Sequence, residues 1–332
     1  MRACISASLA VLLLLFGLPW LTATVEKPAA PPTDKESKET LSADESVMLR
    51  VWDGEKTQEM TVAEYLPGVV RGEMPATFEM EALKAQAVAE RTYIYYKIET
   101  GGKESHPDAD VCMSPACCNA YTPADKAAQR WGDKAEEYEA RIQEAVHATD
   151  GQVMLYEDQP ILAAFHSSSD GKTASSGDVW VSNLPYLTSV ASPEGESNVP
   201  NYYSVKEIPL AEFKSTFLAA HPEAVFPENA NAWIGEAEHN NSGRVEKIPI
   251  GGVSVDGTEV RSLFGLRSAS FTTETDGEKV TFRVTGYGHG VGMSQYGANE
   301  MARQGKTWQE ILQWYYTGVR LDSYCPHTVQ AP

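Results

Sequence analysis

Val47, Leu49 and Val51 alternate with polar neighbours, the period-two pattern of a first strand. Apolar spacing over Val62 to Val70 predicts a short helix interrupted at Pro67 and Gly68. A long helix follows from Phe78 to about Ile98, rich in Ala, Leu, Glu, Gln and Lys. Pro75 lies just ahead of it, with Thr77 as its N-cap and Glu79 and Glu81 in the first turn. Residues 101–122 read as a loop rich in Gly, Pro, Asp and Cys, and helix resumes over 124–148. The period then changes. Gln152–Tyr156 and Ile161–Phe165 predict a hairpin around residues 157–160, and strands are expected near Lys247–Val255, Ser268–Thr273 and Lys279–Val284. Thr307 and Glu310 form a capping box opening a last helix through Tyr315. Helices early and strands later, without βαβ alternation, predict an α+β fold. A helical part would pack on a mixed or antiparallel β-rich part with a substrate groove between them. The body spans 47–325, with a division into lobes of about 47–150 and 151–325.

Ahead of the body, residues 1–24 are mostly apolar after the single cation Arg2. This is the layout of a single-pass membrane anchor or, alternatively, of a cleaved signal peptide. Either places the body on the extracytoplasmic side of the cell membrane. Residues 25–46 read as a disordered linker, dominated by Pro, Lys, Glu, Ser and Ala with no aromatic residue. The chain of 332 residues carries 46 acidic against 27 basic side chains, a net charge of -19. That balance excludes nucleic acid as a partner, because such binding needs a basic footprint.

Four nitrogen and sulfur donors, His106, Cys112, Cys117 and Cys118, sit within one loop and suit tetrahedral zinc. With four protein ligands the metal would be structural, and no organic cofactor is expected. The alternative is a Cys112–Cys118 disulfide.

Four stretches carry the remaining chemistry: YLPGVVRGEMPA (65–76) running into EALKAQAVAERTY (81–93); FHSSSDGKT (165–173) with Asp178–Trp180 and Leu184–Leu187; GHGVGMSQYGA (288–298); and YYTGV (315–319). In this order they resemble the stage II sporulation protein D family over roughly residues 47–321. The resemblance implies a lytic transglycosylase that cleaves peptidoglycan glycan strands between N-acetylmuramic acid and N-acetylglucosamine, closing a 1,6-anhydro ring, during forespore engulfment. It also implies an amidase and a small integral membrane protein as partners. Some members carry His-x5-Cys-x4-His-Cys and bind zinc there; this chain departs at Cys117, where Cys replaces His. Carried over by motif, the catalytic acid is Glu73.

The residues agree with that role. A glycosidic oxygen leaves only when protonated, so the site needs a carboxyl that keeps its proton near neutral pH, and Gly72, Met74 and Pro75 provide apolar neighbours. The bland alternative is a helix-preceding acid favoured by the helix dipole. Glu79, Glu81 and Glu90 read as helix-surface acids. Arg91, where the family also has an Arg, is a candidate for holding sugar or the muramic lactyl carboxylate, or else for an internal salt bridge. His166, Ser167, Ser169 and Thr173 form a polar loop suited to sugar hydroxyls, or a solvated turn. Tyr186 is a candidate stacking residue, and His289 and Gln295 are candidate contacts in a glycine-rich groove wall. The rival function is a non-enzymatic activator of a peptidoglycan amidase.

Overall fold

The computed structural model describes residues 41–101 and 105–326. The segment 1–24 and most of the 25–46 linker lie outside the described residues. Among the described residues no helix is long and apolar enough to cross a membrane. The expectation of a single-pass membrane protein is thus not met among the described residues.

The helix Met80–Glu99 is the centre of the structure. It packs against the helices Val62–Glu73, Ala135–His147, Gln295–Arg303 and Trp308–Tyr315 and the strand Gln152–Tyr156. Neighbours on so many sides explain its composition. Ala82, Ala85, Ala87 and Ala89 allow close approach, and Leu83, Val88 and Ile94 fill the space between. The same apolar cluster takes in Leu49 and Val51 from the first strand and Ile311, Leu312, Tyr315 and Tyr316 from the last helix and its end. A second, aromatic cluster gathers Phe213, Phe217, Trp233, Phe264 and Phe282. The clusters therefore do not divide at residue 150: the second lies within 208–284, and the first draws on chain from both sides of it.

The sheets are small, and the fold is α+β. Met48–Trp52 pairs antiparallel with Thr57–Thr61 and parallel with Val111–Cys112. Gln152–Tyr156 lies between Arg320–Ser323 and Gln159–Pro160. Lys279–Thr285 lies between Phe271–Thr275 and Tyr203–Pro209. Phe165–His166 runs parallel to Met293–Ser294, which joins two of the sequence motifs directly.

Several elements differ from the sequence pattern. The first long helix runs unbroken through Pro67 from its Thr61–Glu64 capping box to Glu73. The central helix starts at Met80, not behind a Thr77 cap. Gly132, at φ +56°, divides the 124–148 helix into Ala124–Trp131 and Ala135–His147. Gly251 and Gly252, both at positive φ, fold the expected strand near Lys247–Val255 into the hairpin Val245–Ile250 and Val253–Asp256. Finally, Ala43–Ser46 is a capped helical turn with Asp44 buried, so the chain is already part of the fold before residue 47.

Candidate active site

Glu73 is the last residue of its helix. Pro75 holds Met74 extended, at φ -124° and ψ 136°, and this ends the helix immediately after the acid. Glu73 thus stands at the negative end of the helix dipole, where a carboxylate is disfavoured. The alternative of an acid steadied by a helix N-terminus does not hold. Burial pushes the Glu73 carboxyl above the usual carboxylate range, and the Ala120 backbone N–H, which donates to Oε1, offsets part of that rise.

Two glycines one turn apart place that N–H. A Cβ at Gly72 would overlap the Ala120 carbonyl, and one at Gly68 would overlap the Tyr121 ring. Bare backbone at both positions lets residues 120–121 lie directly on the helix. The Thr122 N–H donates to the Gly68 carbonyl at 2.9 Å, and Arg71 Nε donates to the Thr122 carbonyl at 3.1 Å. From the other side, Gln295 Nε2 donates to the Glu73 carbonyl at 3.0 Å. Gln295 opens a helix capped by Ser294, whose hydroxyl also donates to buried Glu194.

Glu73 lines a cleft of about 370 Å³ with Arg71, Met74 to Thr77, Arg130, Trp131 and Tyr138, and it is the one carboxyl among the described residues lining it. A larger cleft, about 530 Å³, lies beside Trp314. Its acid, Glu310, pairs with Lys306 at 3.0 Å and caps the Thr307 N–H, which hold it below the usual carboxylate range. Of these two clefts, the one at Glu73 holds the carboxyl pushed toward its protonated form.

The other expected contacts are largely engaged by the protein itself. Arg91 is 0% exposed, and its guanidinium forks onto Asp44 with two bonds of 2.7 Å. It is an internal ion pair and is not free for a substrate carboxylate. Ser169 gives its N–H and hydroxyl to Glu194 at 2.7 and 2.8 Å. Thr173 is buried and accepts the Val190 N–H at 2.9 Å. Tyr186 is 8% exposed; its hydroxyl accepts the Leu162 N–H, and its ring packs at 5.4 Å from Tyr156. None of these three has the free face that a sugar contact needs. Ser167 is half-buried, and its carbonyl accepts the Tyr296 N–H.

His166 and His289 do meet, with ring centroids 5.8 Å apart, and Trp180 packs on His289 at 5.4 Å. Burial pushes His166 well below the ordinary imidazole range and lowers His289 to about 4; Arg261 and Arg244 add to the shift in His289. Both rings are therefore neutral near pH 7. His289 Nδ1 accepts the Val291 N–H at 3.0 Å, and His166 Nδ1 lies 3.2 Å from the Val291 carbonyl.

The ligand atoms of His106, Cys112 and Cys117 lie within 4.8 Å of one another. The Cys118 thiol lies close to Cys112 and Tyr93. Cys112, Cys117 and Cys118 are all free thiols. The His106 ring stacks on Trp52 at 5.2 Å, and Cys112 is pinned by strand pairing beside the same Trp52. Clustered soft donors fit a tetrahedral zinc ion.

Glu90 is not a surface acid: it is 0% exposed. Its signal was present in the sequence. Gln86 and Glu90 are the polar residues of a run otherwise made of Ala and Val, on a helix with no polar face at that point.

Residues 53–156 match the family described as stage II sporulation protein. The chain is 35% identical over 302 residues to stage II sporulation protein D of Bacillus subtilis (strain 168), which covers 90% of this chain and 84% of that protein. The protein of the same name from Bacillus amyloliquefaciens is 34% identical over 298 residues, 89% of this chain and 82% of its own. The amidase enhancer of Bacillus subtilis is 28% identical over 306 residues, 78% of this chain and 40% of that protein.

Proposed function

The chain belongs to the stage II sporulation protein D family, and we propose that it is a peptidoglycan lytic transglycosylase with Glu73 as its acid, acting on peptide-stripped glycan strands during forespore engulfment. The observation that carries the reading is a single half-buried carboxyl, held toward its protonated form, lining an open cleft. A hydrolase needs two carboxylates flanking the scissile bond. One suffices when the nucleophile is the muramic 6-hydroxyl. Glu73 gives its proton to the glycosidic oxygen as the C1–O bond breaks. It then takes the proton of the 6-hydroxyl as that oxygen bonds to C1, and this returns the carboxyl to its starting state. The test is mass spectrometry of peptide-free strands incubated with the protein. Products ending in 1,6-anhydro-muramic acid are expected. Reducing ends would mean hydrolysis and a second carboxyl.

The second reading is a non-catalytic amidase activator, supported by the similarity to the amidase enhancer. It predicts amidase stimulation without any glycan product.

A structural zinc ion held by His106, Cys112, Cys117 and Cys118 completes the proposal. Four protein ligands leave no place for a reactive water, so its role would be to fix the 105–118 loop. Metal analysis is expected to give about one zinc per chain. A metal-free protein with a Cys112–Cys118 disulfide in non-reducing peptide mapping would overturn it.

A further inference from the structure

Glu90 is a buried carboxyl with no part in the chemistry described so far. Being 0% exposed, it cannot touch a glycan strand. Its two oxygens each accept a hydrogen bond: Oε1 from Gln86 Nε2 at 2.8 Å, one turn earlier on the same helix, and Oε2 from Asn119 Nδ2. Asn119 is joined by one peptide bond to Ala120, whose N–H donates to Glu73.

We propose that Glu90 is a positioning residue for Glu73, acting through Asn119 and the peptide that joins it to Ala120. The inference rests on Glu73 being the catalytic acid. Residues 119–122 bridge two helices. On the Val62–Glu73 side they are fastened by the seats at Gly68 and Gly72 and by Arg71. On the Met80–Glu99 side the Glu90–Asn119 bond fastens them. A loop held only on the first side could rotate its peptide away from the acid. Held on both, it keeps the Ala120 N–H aimed at Oε1.

The choice of Glu fits this task. Both partners present N–H donors, and Glu offers them two side-chain oxygens where Gln, of the same length, offers one. The titratable groups facing Glu90 are Glu73, Tyr65, Tyr93 and Tyr316. None is a cation, and burial and the Glu73 carboxyl both push Glu90 above the usual carboxylate range. Around Glu73 stand Arg71, whose guanidinium is spent on Glu139 and Thr122, Arg130, which donates to the Arg71 carbonyl, and Tyr138. The Glu90–Asn119 bond acts on Glu73 mechanically, through where the Ala120 N–H points.

The test compares Glu90→Met, Glu90→Gln and Asn119→Ala in the full chain, with thermal unfolding as the control for folding. Glu90→Met fills the volume without an acceptor, and kcat for glycan cleavage is expected to fall about 10- to 100-fold with KM within about twofold. Glu90→Gln keeps one polar bond to Asn119 and should retain most of the rate. Asn119→Ala should match Glu90→Met, and combining the two should cost no more than either alone. A readout independent of catalysis is the Glu73 carboxyl itself, followed by carbon NMR in glutamate-labelled protein and identified by its loss in Glu73→Gln. Losing the Ala120 N–H removes a bond to the charged form, so the Glu73 pKa should rise in Glu90→Met and Asn119→Ala. A fall would mean that Glu90 acts as a charge, and no change would mean that it merely packs; either overturns the proposal. If the wild type cleaves no strands, the family-based reading has failed, and the Glu73 titration still decides the positioning role. If Glu90→Met does not fold, Asn119→Ala carries the test.

Discussion

Glu73→Gln is expected to lower kcat for glycan cleavage by about 10³- to 10⁴-fold and to leave the unfolding temperature unchanged. General acid catalysis alone contributes about 10²- to 10⁴-fold, and here one group serves as acid and then as base, so the loss belongs near the upper end. The amide is the same size and still accepts the Ala120 N–H, so the cleft should keep its shape. The pH dependence has a definite sign. The competent form is the protonated one, and burial raises the Glu73 pKa above that of an ordinary carboxyl. The wild-type rate should therefore hold at low pH and fall as pH rises through that elevated value, so that the protein stays active where a free carboxyl, with pKa about 4.3, would already be ionised. A pH–rate profile of kcat measures this. A rate that instead rises through the same range would mean that Glu73 must be ionised, and would remove it as the acid. The same variant separates the two readings of function. Amidase stimulation that survives Glu73→Gln, in a protein whose wild type yields no anhydro ends, would make the chain an activator.

The candidate acid Glu73 sits in a motif that is local. Gly68, Gly72, Glu73 and Pro75 lie within eight residues: two seats for the 120–121 backbone, the candidate acid, and the helix stop. The α+β fold class and the last helix with its capping box were also readable from period and caps. What the sequence hid was partnership at a distance. Asn119 and Ala120 lie 46 and 47 positions beyond Glu73, in a loop whose cysteines drew the reading toward metal. Glu90 was misplaced because the helix pattern predicts one wet face, whereas this helix is covered from several directions at once. Two candidate sugar contacts are engaged within the protein for a related reason. Ser169 and Thr173 have the right hydroxyls, but Glu194 and the Val190 backbone take them up, and nothing in the local string announces those partners. The hairpin at Gly251 and Gly252 is a different case, since two consecutive glycines are a turn signal that a continuous strand should not contain.

Arg91→Ala is expected to destabilise the fold by about 3–5 kcal/mol. For a body of this size that is a fall in unfolding temperature on the order of 10 °C. The guanidinium has five N–H donors, and all are placed: Nε and Nη2 on Asp44 at 2.7 Å, Nη2 also on the Val146 carbonyl at 3.2 Å, and Nη1 on the Gln152 carbonyl and the Thr149 hydroxyl at 3.2 and 3.4 Å. Asp44 is 2% exposed, so removing the Arg strands a buried carboxylate, which costs more than the pair itself contributes. The damage should spread, because the 43–44 backbone is also tied to Asp150 by two bonds of 2.8 Å, and the turn, the 146–152 segment and the central helix meet at this one side chain. Arg91→Lys keeps the charge but not the fork, and should recover only part of the loss. The comparison with a substrate role is direct. A residue gripping the muramic carboxylate would raise KM and leave stability alone. Thermal unfolding of Arg91→Ala beside Asp44→Ala should show two losses that are not additive, since each variant breaks the same pair. An unchanged melting temperature with a raised KM would restore Arg91 to the substrate.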